Sequence, residues 1–61
     1  YKRSIYVAAD VAAGEAFTEA NLRVIRPGDG LAPKYYATLL GRRAPRALKA
    51  GTPLSWEALL G

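Results

Sequence analysis

The side chains in this chain that could do chemistry are arginines, lysines and scattered carboxylates, because the sequence contains neither cysteine nor histidine. That removes disulfides, thiolate or imidazole zinc sites, and the Ser-His and Cys-His nucleophile arrangements, so a self-contained hydrolase is not expected. The carboxylates Asp10, Glu15, Glu19, Asp29 and Glu57 fall on turns and expected helix starts, where an acid ordinarily caps or sits favourably near a helix dipole. Gly28-Asp29-Gly30 lacks the third glycine and the strand-to-helix setting of a dinucleotide loop, and no P-loop lysine follows a glycine at the needed spacing. Two basic features remain. Arg26 heads the run Arg26-Pro27-Gly28-Asp29-Gly30-Leu31-Ala32-Pro33, and taken alone it reads as a surface arginine at a strand end, solvated or paired with Asp29. The cluster Arg42-Arg43-Ala44-Pro45-Arg46, with Lys49 and Lys34 nearby, could track the phosphates of a nucleic acid or another polyanion. No motif of a nucleic-acid-binding fold accompanies these cations. A solvated strand edge explains them, and nucleic acid is not the expected partner.

The elements that must position these residues are short. Ser4 to Ala9 alternates around Ile5 and Val7 and is rich in Tyr and β-branched residues, which predicts a half-buried strand ended by Ala13-Gly14. Phe17 then serves as an apolar anchor, Thr18 as an N-cap, and the chain through Leu22 as a single helical turn. Leu22 to Arg26 reads as a second strand with Leu22 and Val24 on one face, ended by Pro27, which has no backbone donor. Pro27-Gly28 suits the centre of a type II turn, with a positive φ at the glycine. Gly30 keeps the loop tight or mobile. Lys34 to Leu40 forms about two helical turns stopped by Gly41, with Tyr36, Leu39 and Leu40 sharing a face. Ala44 to Leu48 reads as a further strand carrying Arg46, and Ser55 caps a last turn through Leu59. Phe17, Leu54 and Leu59 are assigned to the core, and Tyr35, Tyr36 and Trp56 are expected to supply packing area rather than a sugar platform.

At 61 residues and 6.5 kDa, residues 1–61 make one small domain. A chain of this size buries only about 60% of its unfolded surface, so its margin of stability is thin. A composition of 51% hydrophobic and 23% charged residues is that of a folding chain, not a disordered tail. The net charge of +4 favours an anionic partner without naming one. No apolar stretch is long enough to span a bilayer or act as a signal peptide, so no membrane contact is expected and a cytoplasmic setting is the default expectation. The chain has no methionine. It is therefore expected to be a piece of something larger.

Laying residues 11–22 over residues 48–59 without a gap matches Val11, Ala13, Gly14, Phe17, Thr18 and Leu22 with Leu48, Ala50, Gly51, Leu54, Ser55 and Leu59. Each copy is a strand end, an Ala-Gly turn, a buried anchor, a hydroxyl N-cap and a short helix. Units that cannot bury their anchors separately would do so against one another, which predicts many short strands and an approximate two-fold axis.

Several stretches together resemble a known family: Arg3-Ser4-Ile5; Ala13-Gly14-Glu15 with Phe17-Thr18-Glu19 and Asn21-Leu22; the Arg-Pro-Gly-x-Gly-Leu-x-Pro run from Arg26 to Pro33; Lys34-Tyr35; Leu40-Gly41-Arg42; and Lys49-x-Gly51-Thr52-Pro53-Leu54-Ser55-Trp56. The chain resembles the C-terminal antifreeze-like, or SAF, domain of the sialic acid synthase (N-acetylneuraminate synthase) family. The central run is the specific part, since the glycine turns alone also occur in SAF domains of pilus and flagellar assembly proteins. Alanine stands at Ala12, Ala13 and Ala47, where the family pattern leads one to expect lysines and an aspartate.

The resemblance implies a mainly β, β-clip fold of short strands, single-turn helices and internal pseudo-two-fold symmetry. It implies a parent enzyme whose (β/α)₈ barrel condenses phosphoenolpyruvate with an N-acylated amino sugar, using a divalent metal, manganese or magnesium, held by the barrel; no cofactor is expected in the small domain itself. In the family's domain-swapped homodimer this domain caps the active-site mouth of the partner subunit's barrel, and the loop arginine reaches the sugar's acyl group. That role falls on Arg26, with Pro27, Gly28 and Gly30 as loop support, and no catalytic or metal-binding residue is expected here. The type III antifreeze proteins of fish share this fold, which raises ice binding as an alternative. Glu15, Glu19 and Asn21 in the matching region should hold mobile water and spoil an ice-binding face.

Overall fold

The computed structural model describes residues 2–60. Its regular elements are two strands, β1 (Ser4–Val7) and β2 (Leu22–Ile25), one helical turn, α1 (Tyr36–Leu39), and 3-10 turns at Pro33–Tyr35 and Glu57–Leu59. β1 and β2 pair antiparallel, with Ser4 opposite Ile25 and Val7 opposite Leu22. Along its other side β1 is bonded to the rest of the chain. Ile5 N–H donates to the Leu31 carbonyl and Val7 N–H to that of Thr52, while the carbonyls of Ile5 and Val7 accept from Leu54 and Gly51. Enclosed in this way, all four residues of β1 are buried, which corrects the expectation of a half-buried strand. β2 follows its pattern more closely: Leu22 is buried and Val24 half-buried, with Arg23 and Ile25 outward.

The internal repeat predicted from sequence is a two-fold pseudosymmetry in the backbone. Val11 and Leu48 exchange reciprocal hydrogen bonds of 2.8 Å, so matching positions of the two copies meet face to face. Further bonds come in pairs related by the shift that carries Val11 onto Leu48. Gly14 N–H to the Ala44 carbonyl matches Gly51 N–H to Val7; Phe17 to Arg42 matches Leu54 to Ile5; Ala44 to Glu15 matches Val7 to Thr52. The bridges Tyr6 with Pro53 and Ala16 with Arg43 form another such pair. Gly14 and Gly51 turn at φ 85° and 89°, a left-handed conformation that a Cβ disfavours. The anchors Phe17 and Leu54 are fully buried in one cluster with Ile5, Val7, Val11, Leu22, Leu31, Leu39, Ala44 and Leu48. Leu59, the third expected core residue, is only half-buried against that cluster.

The caps follow from the hydroxyls. Thr18 Oγ1 accepts from Ala20 N–H, and Asn21 Oδ1 reaches back to Thr18 N–H at 2.8 Å, a reciprocal cap around a single turn. Ser55 Oγ accepts from Ala58 N–H. Helix α1 stops before Gly41, as expected. The strand expected over 44–48 does not form. Ala44 and Leu48 are each buried and tied to the other copy, but the chain bends between them at Pro45-Arg46, where proline supplies no donor.

Candidate functional site

Beyond Ile25 the chain leaves β2, runs out through Arg26 and returns beside β1 at Leu31. Arg26, Pro27, Gly28 and Asp29 are exposed, and Gly30 is half-buried beneath them. The loop is fixed at several points. Ser4 Oγ, beneath the loop, donates to the Pro27 carbonyl at 2.7 Å and accepts from Gly30 N–H at 2.9 Å. Leu31 closes the turn, its N–H on the Leu54 carbonyl and its own carbonyl taking Ile5 N–H, each at 2.9 Å.

Both glycines of the run are required by proximity. A Cβ on Gly30 would lie 2.6 Å from the Ile5 carbonyl oxygen and 3.1 Å from the Leu54 backbone, atoms that cannot swing aside. A Cβ on Gly28 would stand 2.8 Å from the Cβ of Lys2. The expected type II turn is corrected here, because Gly28 is not among the positive-φ glycines and a type II turn needs a positive φ at that position. Of the alternatives left open for Gly30, the loop is tight at that position. The structure thus brings Arg26, Pro27, Gly28 and Gly30 into one compact loop.

A second concave region lies beyond Pro33. Tyr35, Thr38, Leu39, Arg42, Trp56 and Leu59 line most of a groove of about 430 Å³. Trp56 meets the Tyr35 ring edge-on with centroids 4.9 Å apart, yet it is 51% exposed, so it is not the core residue expected from sequence. Lys34 Nζ stands 5.2 Å from the Tyr35 ring centroid. The basic cluster does not present a continuous row of outward cations: Arg43 Nη1 donates to the Gly14 carbonyl and Arg46 Nη2 to that of Leu60. Such contacts turn these guanidiniums toward the domain's own backbone.

Two of the carboxylates act as caps. Asp10 Oδ1 accepts from Ala50 N–H and Glu15 Oε1 from Ala12 N–H, each at 2.8 Å. Among the described residues no group of three acidic side chains converges to hold a metal ion. Glu15 and Glu19 are exposed as anticipated, but Asn21 is buried and donates to the Ala16 carbonyl, so it is not a water-holding surface group. No described helix is long and apolar enough to cross a membrane. The residue that sequence reasoning passed over is Ser4: its only signal was its place in the Arg3-Ser4-Ile5 match, and nothing local showed that the loop would close over it.

Residues 2–60 match the SAF domain family. The chain is 49% identical over 55 residues to the pseudaminic acid synthase of Helicobacter pylori, covering 90% of this chain and 16% of that protein. It is 38% identical over 56 residues to the N,N'-diacetyllegionaminic acid synthase of Legionella pneumophila, covering 92% and 16% respectively. The crystal structure of the spore coat polysaccharide biosynthesis protein SpsE from Bacillus subtilis superposes with a TM-score of 0.88 at 40% identity, over 97% of this chain and 18% of that one. The chain thus spans about a sixth of the length of these relatives. With the glycine turns, the doubled anchors and the Arg26 loop in place, it belongs to the SAF domain family as found in synthases of the sialic acid type.

Proposed function

We propose that this chain is the substrate-capping, dimer-contacting domain of a sialic acid synthase type enzyme that condenses phosphoenolpyruvate with an N-acyl amino sugar. In this reading the domain covers the active-site mouth of the partner subunit's barrel in a domain-swapped homodimer, and Arg26 donates to the carbonyl oxygen of the sugar's N-acyl group. A planar, permanently charged fork suits that oxygen, and a backbone already fixed in the free domain loses little entropy when the sugar arrives. The domain is not catalytic alone. The divalent metal, manganese or magnesium, belongs with the barrel.

The observation that carries this reading is an arginine, exposed as a residue, on a loop whose backbone is fixed by Ser4, Ile5 and Leu54. Arg26→Ala in the full-length enzyme should raise KM for the amino sugar by about 10- to 100-fold, the range of one lost charge-assisted hydrogen bond, with KM for phosphoenolpyruvate little changed. Arg26→Lys should fall between, because an ammonium is a point charge and not a fork. Unchanged sugar kinetics in Arg26→Ala would reject the role. The N-acyl sugars leading to pseudaminic and legionaminic acids are the first acceptors to assay, given the names of the relatives.

A further inference from the structure

We infer that Ser4 is a positioning residue for Arg26: its buried hydroxyl clips the two ends of the Pro27–Gly30 bend and so sets where the guanidinium is held. The inference rests on the role proposed for Arg26 above. Ser4 is 1% exposed and lies opposite Ile25, the last residue before Arg26. Its Oγ is both donor and acceptor, to the Pro27 carbonyl at 2.7 Å and from the Gly30 amide at 2.9 Å. Only a hydroxyl combines those two functions in so small a volume. Removing it leaves a carbonyl and an amide without that partner, and the bend can relax into solvent while the ladder below is kept. Strand pairing of β1 uses backbone groups and does not need the hydroxyl.

The experiment compares Ser4→Ala, Ser4→Cys, Arg26→Ala and the double variant Ser4→Ala/Arg26→Ala in the full-length enzyme. Loss of the clip should raise KM for the amino sugar about five- to tenfold in Ser4→Ala, with kcat and KM for phosphoenolpyruvate nearly unchanged, as a bond or two of ordinary strength would give. The double variant should be no worse than Arg26→Ala alone, since a positioning group has nothing left to position. If Ser4→Ala lowers the melting temperature of the enzyme, Ser4→Cys carries the test: it fills the site, bonds weakly, and should show a KM increase of about threefold. A folded Ser4→Ala or Ser4→Cys enzyme with wild-type sugar KM, or an effect that simply multiplies with that of Arg26→Ala, would overturn the inference. If Arg26→Ala itself has no effect, the proposed function fails first, so the two failures are distinguishable.

Discussion

The two halves of the domain share a framework and differ in what they carry. Around Leu54 and Ile5 the chain adds the Arg26 loop; around the matching Phe17 and Arg42 it adds α1, while the aromatic groove draws on both halves. The same polar demand is met by different means. The Leu54 carbonyl takes the N–H of Leu31, from the end of the loop, whereas the Phe17 carbonyl takes the N–H of Gly41, from the end of the helix. A buried carbonyl must be satisfied, but the physics does not specify which segment satisfies it. Symmetry in this domain is therefore a property of the hydrogen-bonded frame, and the loop proposed to meet the sugar sits where the symmetry is broken.

Substitutions at matched and unmatched positions probe that division. The largest effect is expected at the shared anchors: Phe17→Ala should cost about 3 to 5 kcal/mol. That is comparable with the ~3 to 5 kcal/mol a core this small supplies, so circular dichroism at 25 °C should find about half or more of the variant unfolded. Gly30→Ala, which exists in one half only, should cost about 2 to 3 kcal/mol by forcing backbone apart, with most of the disturbance in residues 26–32; amide exchange confined elsewhere would contradict the close packing seen at Gly30. Gly14→Ala and Gly51→Ala should each cost about 1 to 2 kcal/mol in urea titrations, and by nearly equal amounts, since both glycines turn at nearly the same φ. A clear inequality would show that the two turns are not energetically equivalent. The smallest effect sharpens the comparison most. Asp10 caps the Ala50 amide, but its counterpart is Ala47, whose methyl offers no acceptor to Ala13. Ala47→Asp should therefore stabilise the domain by about 0.5 to 1 kcal/mol, raising its melting temperature by several degrees.

The frame was the legible part. Gly14 and Gly51 suit a left-handed turn, Phe17 and Leu54 a buried anchor, and Thr18 and Ser55 a cap, so their repetition makes the pseudosymmetry legible in the sequence. The Arg26 loop was legible through its resemblance to a family, not through its physics: Gly28 was read as a torsional glycine, and what it avoids is Lys2, far away in sequence. The strand expected over 44–48 failed for a related reason, because Ala44 and Leu48 bond to separate partners across the pseudo-two-fold and propensity carries no information about that crossing. Trp56 was expected to be packed away, yet a core filled by Phe17, Leu54 and their neighbours leaves it half outside. Ser4 was invisible as the clip of the loop, since its two bonds join segments more than twenty positions apart.

The enclosure of β1 has a consequence for how the protein behaves in crowded solution. Ser-Ile-Tyr-Val is the kind of uncharged, β-prone run that would template fibril growth if its edge were open, but in the fold it is bonded along both sides. β1 itself offers no open edge to a second molecule, so self-association through this segment has to wait for the domain to open. Fibril formation should accordingly rise and fall with global unfolding, and variants that loosen only the surface should leave it unchanged.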